Sequence, residues 1–172
     1  MKTMILLLFL STAILASKPQ AISSLSPKEF SGLWYEIART YNDYEKNCVA
    51  ATVQYDLIDR NRFDVTNRCF DRVIGGDLIV YEGSAKTLEN ESALKLKLTY
   101  FWVFTREYHI VHMDENKAYA VMASPDMQNL WIMSRTPQMP QAKLQAILDK
   151  LSSAMNIKRL IFTPQDPKGR YK

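Results

Sequence analysis

The feature that most restricts how this chain can fold is a strict alternation of apolar and polar side chains from Leu94 to Tyr100. Leucines and the tyrosine occupy every second position, and lysines and a threonine occupy the positions between them. Successive side chains of a β-strand point to opposite faces of the sheet. One face of this strand therefore meets water and the other meets a core or a cavity, which is typical of an antiparallel sheet.

Further short runs of β-branched and aromatic residues continue this pattern, with turn signals between them. The connections Asp59-Arg60-Asn61, Asp114-Glu115-Asn116 and Ser124-Pro125-Asp126 are short and polar, as hairpins require. The predicted strands are approximately Leu33–Thr40, Val49–Ile58, Arg62–Cys69, Asp77–Ala85, Ala93–Phe101, Glu107–Met113, Lys117–Ala123 and Asn129–Arg135. This succession predicts an all-β antiparallel barrel or sandwich. A closed sheet of about eight strands is either filled by its own side chains or holds one small ligand, and periodicity leaves both open.

Helical signals flank the strands. Ser26-Pro27-Lys28-Glu29 is a helix-start signature that supports one short turn. After Pro140 an apolar stripe at helical spacing predicts one amphipathic helix, whose buried side needs the outer surface of the barrel. The stripe consists of Leu144, Ile147, Leu148, Leu151 and Met155. Arg159–Phe162 adds a last short strand.

The N-terminal segment predicts export. Residues 1–16 have the charged start, apolar centre and small-residue end of a secretory signal peptide, with cleavage near Ala16 or as late as Ala21. The rest fits one domain, residues 22–166, followed by a polar tail, residues 167–172. No cysteine lies in the first 21 residues to carry a bacterial lipoprotein anchor, so we expect no stable membrane anchor. We expect a secreted protein, periplasmic if the source is bacterial.

Charge and metal-ligand patterns exclude several function classes. The formal net charge is +4, and about +3 remains after loss of Lys2 with the signal peptide. Lysines and arginines are scattered, whereas nucleic-acid binders carry a basic stripe or face. His109 and His112 face opposite sides of one predicted strand, so they cannot share a metal site. We expect no nucleic-acid partner, no metal and no cofactor.

Two cysteines occur, Cys48 and Cys69, and in an oxidising compartment an even count favours a disulfide. A regular hairpin register from the turn at Arg60 places Cys69 nearer Ala51 than Cys48, so a bond requires a bulge or bend there. Asn90-Glu91-Ser92 is a glycosylation acceptor sequence, of use if the host secretes through an endoplasmic reticulum.

Several motifs in order resemble the lipocalin family, in the branch that contains apolipoprotein D and the bacterial outer-membrane lipocalin. The motifs are Gly32-Leu33-Trp34-Tyr35, Tyr55-Asp56-Leu57, Val65-Thr66-Asn67, Asp114 and Leu130-Trp131-Ile132-Met133-Ser134-Arg135-Thr136-Pro137. There are two departures. Asp114 is followed by Glu115 where the family usually has tyrosine, and no cysteine follows Cys69.

The resemblance implies an eight-stranded antiparallel up-and-down β-barrel with one C-terminal α-helix packed on its outside. It also implies carriage of a small hydrophobic ligand such as a fatty acid, lysophospholipid, sterol, retinoid or tetrapyrrole, and no enzymatic activity. In the family the tryptophan at Trp34 plugs the closed end and the arginine at Arg135 lies across it in a cation–π contact. Gly32 lets the backbone turn into the first strand.

The resemblance also places the ligand site at the open end of the barrel. The positions that match family ligand contacts are Tyr55, Asn67 and Trp131. Period-two alternation adds Ala51, Val53, Val65, Leu98 and Tyr100 as wall residues. Tyr44 and Trp102 are expected at the rim of the mouth, on the predicted loops 41–48 and 102–106. Arg72 and Arg106 are available there for a carboxylate or phosphate.

Two other functions stay open. A few lipocalins are isomerases that use a thiol inside the cavity, and Cys69, if free and facing inward, is the candidate nucleophile. The other open function is that of a pigment-complex subunit or interaction protein, whose outer surface matters more than its cavity. In that case apolar patches on the outer surface would form a weak homodimer.

Overall fold

The computed structural model describes residues 25–88 and 94–169. The predicted signal peptide, the Asn90 acceptor sequence and the end of the predicted polar tail lie outside these residues. Within the described ranges, no helix is both long and apolar enough to cross a membrane.

Nine β-strands and two α-helices form the regular structure of the described residues, with a 3-10 turn at Ile157–Arg159. In chain order they are α1 (Pro27–Phe30), β1 (Gly32–Thr40), β2 (Cys48–Leu57), β3 (Arg62–Asp71), β4 (Leu78–Thr87), β5 (Lys95–Tyr100), β6 (Phe104–Met113), β7 (Tyr119–Ala123), β8 (Leu130–Ser134), α2 (Gln141–Ser152) and β9 (Leu160–Phe162). Each predicted strand is present with bounds shifted by a few residues.

The β5–β6 connection is shorter than the sequence predicts. Strand β6 begins at Phe104 rather than Glu107, because residues 101–103 form a tight turn. The predicted extent of this loop, residues 102–106, is therefore wrong, since residues 104–106 belong to β6. Phe101 and Trp102 make this turn with left-handed backbone conformations, at φ 49° and 67°.

Strand β1 closes the barrel. Strands β2 to β8 pair in chain order, and β1 pairs antiparallel with both β8 and β2. Tyr35 marks the junction, since it lies opposite Ser134 on one side and Thr52 on the other. Closure of this kind removes the free sheet edges. The predicted eight-stranded antiparallel up-and-down barrel is confirmed.

The C-terminal segment covers the part of the seam where β1 and β2 separate. Strand β9 pairs with β1 at Ala38–Thr40, beyond the stretch that pairs with β2. Gln165 Nε2 donates to the backbone carbonyls of Glu36 on β1 and Ala51 on β2, at 2.6 and 2.9 Å. A segment outside the barrel thus joins the two strands where their own pairing has ended.

Helix α2 packs on the outside of the barrel, as predicted. Its buried side chains are Leu144, Ile147, Leu148 and Leu151. They cluster with outward-facing apolar residues of β1, β7 and β8, among them Val121 and Ile132. The inward-facing residues of the same strands are left free to line the interior.

Trp34 and Arg135 lie in contact at the closed end. Arg135 Cζ is 3.6 Å from the centre of the buried Trp34 ring. Its guanidinium donates to Leu33 O and to Glu29 O, both at 3.0 Å. Gly32 has φ +99°, and a Cβ there would lie 3.2 Å from Arg135 Nη1. Burial lowers the pKa of Arg135 to about 10, so it keeps its charge at neutral pH.

We expect Arg135→Met to lower the free energy of unfolding by about 2 to 3 kcal/mol, because it removes a cation–π contact and the hydrogen bonds to partly buried carbonyls. Urea unfolding monitored by circular dichroism measures the loss. Arg62→Met is the matched control, since Arg62 is exposed and pairs with Asp59 on the surface. Equal stability of the two variants would contradict this role.

Cys48 and Cys69 form the predicted disulfide, with Cα atoms 5.3 Å apart. The register of β2 against β3 shifts between Val49 and Thr52, which is the irregularity that the spacing of the cysteines required. Ala50 lies in this bulge with φ 52°. The bond holds the start of β2 to the end of β3 beside the open end.

Replacing both cysteines by alanine should lower the free energy of unfolding by about 3 kcal/mol, because the bond closes a loop with a sequence separation of 21. Denaturant midpoints with and without reductant give the value. Reductant should lower the midpoint of the original protein by a similar amount and leave the double variant unchanged. A midpoint that is insensitive to reductant in both proteins would show that the bond contributes nothing.

Candidate ligand-binding cavity

The barrel contains a cavity of about 690 Å³ near its open end. The connections at this end are residues 41–47, 72–77, 101–103 and 124–129. The first, third and fourth of these contribute to the cavity lining, the fourth through Asn129. A volume of this size is within the range of pockets that hold drug-sized ligands.

An aromatic cluster fills the closed-end half of the barrel and forms the floor of the cavity. Phe30, Trp34, Tyr55 and Phe63 are fully buried. Ring centres lie 5.5 Å apart for Phe30 and Trp34, 4.9 Å for Phe30 and Tyr55, and 5.9 Å for Tyr55 and Phe63. The sequence left a filled and a hollow interior open, and the structure has both, one in each half.

Most of the predicted contact residues line the cavity. Those that do so are Tyr55, Asn67, Trp131, Ala51, Val53, Leu98, Tyr100 and Tyr44. Their positions follow from strand alternation, since Val53 and Tyr55 face inward from β2, Asn67 from β3, and Leu98 and Tyr100 from β5. At the mouth, Arg106 also contributes to the lining.

Two predicted contact residues lie elsewhere. Val65 is buried, but it lies directly opposite Tyr55 and packs with the aromatic cluster in the closed-end core rather than against the cavity. Trp102 is 96% exposed, because the left-handed turn directs it away from the barrel. Arg72 also lies outside the lining, on the surface beside Asp71 at 3.6 Å.

Several polar side chains that line the cavity have partners there, whereas the buried Thr52 Oγ1 has none among the described residues. Asn67 Nδ2 donates to Tyr100 Oη at 2.7 Å, and the Tyr55 hydroxyl lies 3.6 Å from Met122 Sδ. Burial raises the pKa of both Tyr55 and Tyr100, so both remain neutral at physiological pH. Tyr108 stacks edge-on against Trp131, with ring centres 5.3 Å apart. The wall is thus largely apolar, with a few fixed hydrogen-bonding groups.

A buried ionic group lies beside the mouth, and the sequence analysis missed it. Arg39 Nη1 donates to Glu36 Oε1 at 3.0 Å and to Thr163 Oγ1 at 3.1 Å. Thr163 Oγ1 in turn donates to Glu36. Glu36 follows Trp34 by two residues on the inward face of β1, and that spacing was the available signal.

The ionic group also holds the first loop at the mouth in place. Arg39 Nη2 donates to the backbone carbonyl of Glu45. The Glu45 carboxylate accepts from Trp131 Nε1 at 3.0 Å and from Asn42 Nδ2 at 2.5 Å. Strands β1 and β8 are thereby tied to the loop that covers one side of the cavity.

Two carboxyl groups share one cation in this group. Burial is the main cause that raises the pKa of Glu36 well above 4.5, and the nearby Glu45 raises it further. Arg39 and Thr163 act in the opposite direction. One guanidinium does not offset the burial of Glu36 and the charge of the nearby Glu45, so the net effect is a raised pKa for Glu36.

We expect the folded protein to lose stability, relative to Glu36→Gln, as the pH rises from about 4.5 through the raised pKa of Glu36. A folded-state pKa above the unfolded value stabilises the protein at low pH, and that contribution is lost as the folded group ionises. Urea unfolding of both proteins across this pH range tests it, with the exposed Glu82→Gln as control. If the difference in free energy of unfolding between the unmodified protein and Glu36→Gln did not change with pH, the raised pKa of Glu36 would be contradicted.

Comparisons with known proteins agree with this architecture. A model of the Lipocalin-like domain family matches residues 26–165. The outer membrane lipoprotein Blc of Citrobacter freundii is 29% identical over 147 residues, covering 84% of this chain and 81% of the relative. Apolipoprotein D of Bos taurus is 24% identical over 156 residues, covering 86% and 80%.

Among solved structures, insecticyanin of the tobacco hornworm Manduca sexta superposes with a TM-score of 0.72 at 16% identity, covering 89% of this chain and 87% of insecticyanin. At that identity the likeness shows the fold alone. The family model spans the whole barrel and the external helix. The chain therefore belongs to the lipocalin family, in the branch that includes apolipoprotein D and the bacterial lipoprotein Blc.

Proposed function

We propose that this protein is a secreted carrier that holds one small hydrophobic molecule in the open half of its barrel. The observation that carries the proposal is the cavity of about 690 Å³, with a largely apolar wall and an aromatic floor. Candidate ligands are fatty acids, lysophospholipids, sterols, retinoids and tetrapyrroles. Each of these presents a large apolar surface that water solvates poorly.

Apolar burial supplies the binding energy in this proposal. Each methylene group moved from water into the cavity contributes about 0.8 kcal/mol before the entropic costs of association. Val53, Leu98 and Met122 offer apolar wall surface along the depth of the cavity. A long acyl chain or a fused ring system gains the most from such a wall.

Polar groups give the bound molecule a direction. Tyr55 and the aromatic cluster below it close the inner end. Glu45, Tyr44 and Arg106 line the cavity at the mouth. An amphiphile therefore binds with its apolar end against Tyr55 and its polar head at the mouth, where charged groups and water solvate it.

Secretion is part of the proposal. Residues 1–16 have the composition of a signal peptide. The Cys48–Cys69 bond supports the same compartment, because disulfides persist in oxidising surroundings outside the cytosol.

The enzyme alternative loses its nucleophile. The cavity-thiol mechanism requires a free cysteine, and both cysteines of the chain are in the disulfide. A bonded sulfur has no thiolate with which to attack a substrate. Carriage is the function that the remaining cavity residues favour.

Leu98→Trp tests the carrier function, because an indole at this position occupies part of the cavity. We expect it to raise the dissociation constant for a fluorescent long-chain fatty acid about tenfold. Lys97→Trp is the matched control, since Lys97 directly precedes Leu98 in β5 and faces solvent. Fluorescence titration in the absence of membranes measures both constants.

The unmodified protein should bind this probe well below the high-micromolar range. Equal affinities for Leu98→Trp and Lys97→Trp would place the probe outside the barrel. No binding by the folded, unmodified protein, with this probe or with lysophospholipid, sterol, retinoid or tetrapyrrole ligands, would overturn the proposal.

A further inference from the structure

The open end of the barrel carries an exposed apolar surface, which we call the rim patch. It consists of Phe101, Trp102, Val103 and Phe104 at the β5–β6 turn and Val73 and Ile74 in the β3–β4 loop. Trp102 is 96% exposed and Val103 is 73% exposed. A contiguous patch of exposed aromatic and β-branched side chains on two neighbouring loops indicates an interaction surface.

The β5–β6 turn holds these side chains outward at a conformational cost. Phe101 and Trp102 both have positive φ, at 49° and 67°. Glycine, asparagine or aspartate normally occupy such positions in hairpins, because a bulky side chain is strained there. Strain of this kind is retained where it serves a function. The side chain that the turn presents to water is the indole of Trp102.

The two ends of the barrel differ in this respect. At the closed end, the β2–β3 turn is Asp59-Arg60-Asn61 and the β6–β7 turn begins Asp114-Glu115-Asn116. Ile58 is the exposed large apolar residue beside them. At the open end, the stretch from Thr99 to Thr105 has no charged residue. Among the described residues, the exposed large apolar side chains of the turns are therefore concentrated at the end where the cavity opens.

The charges around the rim patch indicate which surface covers it. Arg72 directly precedes Val73 and Arg106 follows Phe104 by two residues, while Asp43 and Asp126 lie on the other loops at the same end. This mixture of both signs suits headgroups that carry both a phosphate and an ammonium group. Tryptophan and phenylalanine side chains are favoured at the boundary between headgroups and acyl chains.

We infer that the open end docks reversibly on the surface of a zwitterionic phospholipid bilayer, with Trp102 and Val103 inserted and the mouth of the cavity facing the lipid. The protruding turn inserts into a fluid layer without needing a complementary pocket. An apolar molecule then moves between bilayer and cavity without crossing bulk water. This goes beyond the proposed carriage of a ligand, because it names the surface at which the mouth is placed.

Flotation with phosphatidylcholine vesicles tests the inference, together with tryptophan emission. Trp34 is fully buried and Trp131 is partly buried inside the barrel, so Trp102 dominates any emission change caused by an outside surface. We expect the protein to float with the vesicles and its emission to shift to shorter wavelength. High salt should leave the binding largely intact, because apolar insertion drives it.

Trp102→Ser should lower the vesicle partition coefficient about tenfold, and Trp102→Asp should lower it at least as much. Ile58→Ser and Ile58→Asp make the same chemical changes at the closed end and should float like the unmodified protein. Binding of the fluorescent fatty acid, measured without vesicles, should be unchanged in all four variants. Failure of docking is thereby distinguished from failure of ligand carriage.

Any of four results would overturn the inference. The first is no flotation of the unmodified protein, and the second is equal flotation of Trp102→Ser and Ile58→Ser. The third is binding that requires added phosphatidylglycerol and is lost in high salt, which indicates a charge-driven contact. A fall in sedimentation coefficient for Trp102→Ser without a change in vesicle binding would instead assign the rim patch to self-association.

Discussion

Closure of the sheet through strand β1 is the constraint on which the rest of the structure depends. This strand pairs with β8 along one side and with β2 along the other, so the sheet has an inside and an outside. Trp34 on the same strand fills the closed end under Arg135. Where β1 and β2 separate, Gln165 joins them from the C-terminal segment. The cavity exists because one end of this closed sheet is filled and the other is not.

The two halves of the interior have different physical roles. Aromatic rings packed at tilted and edge-on angles around Tyr55 make the closed end a packed core, which supplies stability in the way that cores of globular proteins do. The open half lacks that packing, and its largely apolar walls surround the cavity. The buried pair Arg39 and Glu36, with Glu45, holds the first loop over this half. The same half carries the disulfide and the rim patch, so the stabilising bonds and the exposed apolar turn act at the mouth.

Periodicity and the family motifs were enough to predict the fold and most of the cavity lining, and the exceptions have physical causes. Alternation predicts that Val65 faces inward but not how deep in the barrel it lies. Val65 packs with Tyr55 in the closed-end core. The outward direction of Trp102 depends on a left-handed turn that the sequence does not predict, because Phe-Trp is unusual at such positions. Glu36 was missed because burying a carboxylate on the inward face of a barrel strand costs free energy unless it has partners, and one of its partners, Thr163, comes from the far end of the sequence.

The functional account depends on an interior that a lipid-sized molecule can occupy. Native mass spectrometry of the mature protein mixed with long-chain fatty acids, lysophospholipids and sterols measures occupancy and stoichiometry in one experiment. We expect one ligand per chain, retained in the folded charge states, for at least one of these classes. A folded protein that keeps its bare mass with all of them would contradict a hollow, accessible barrel.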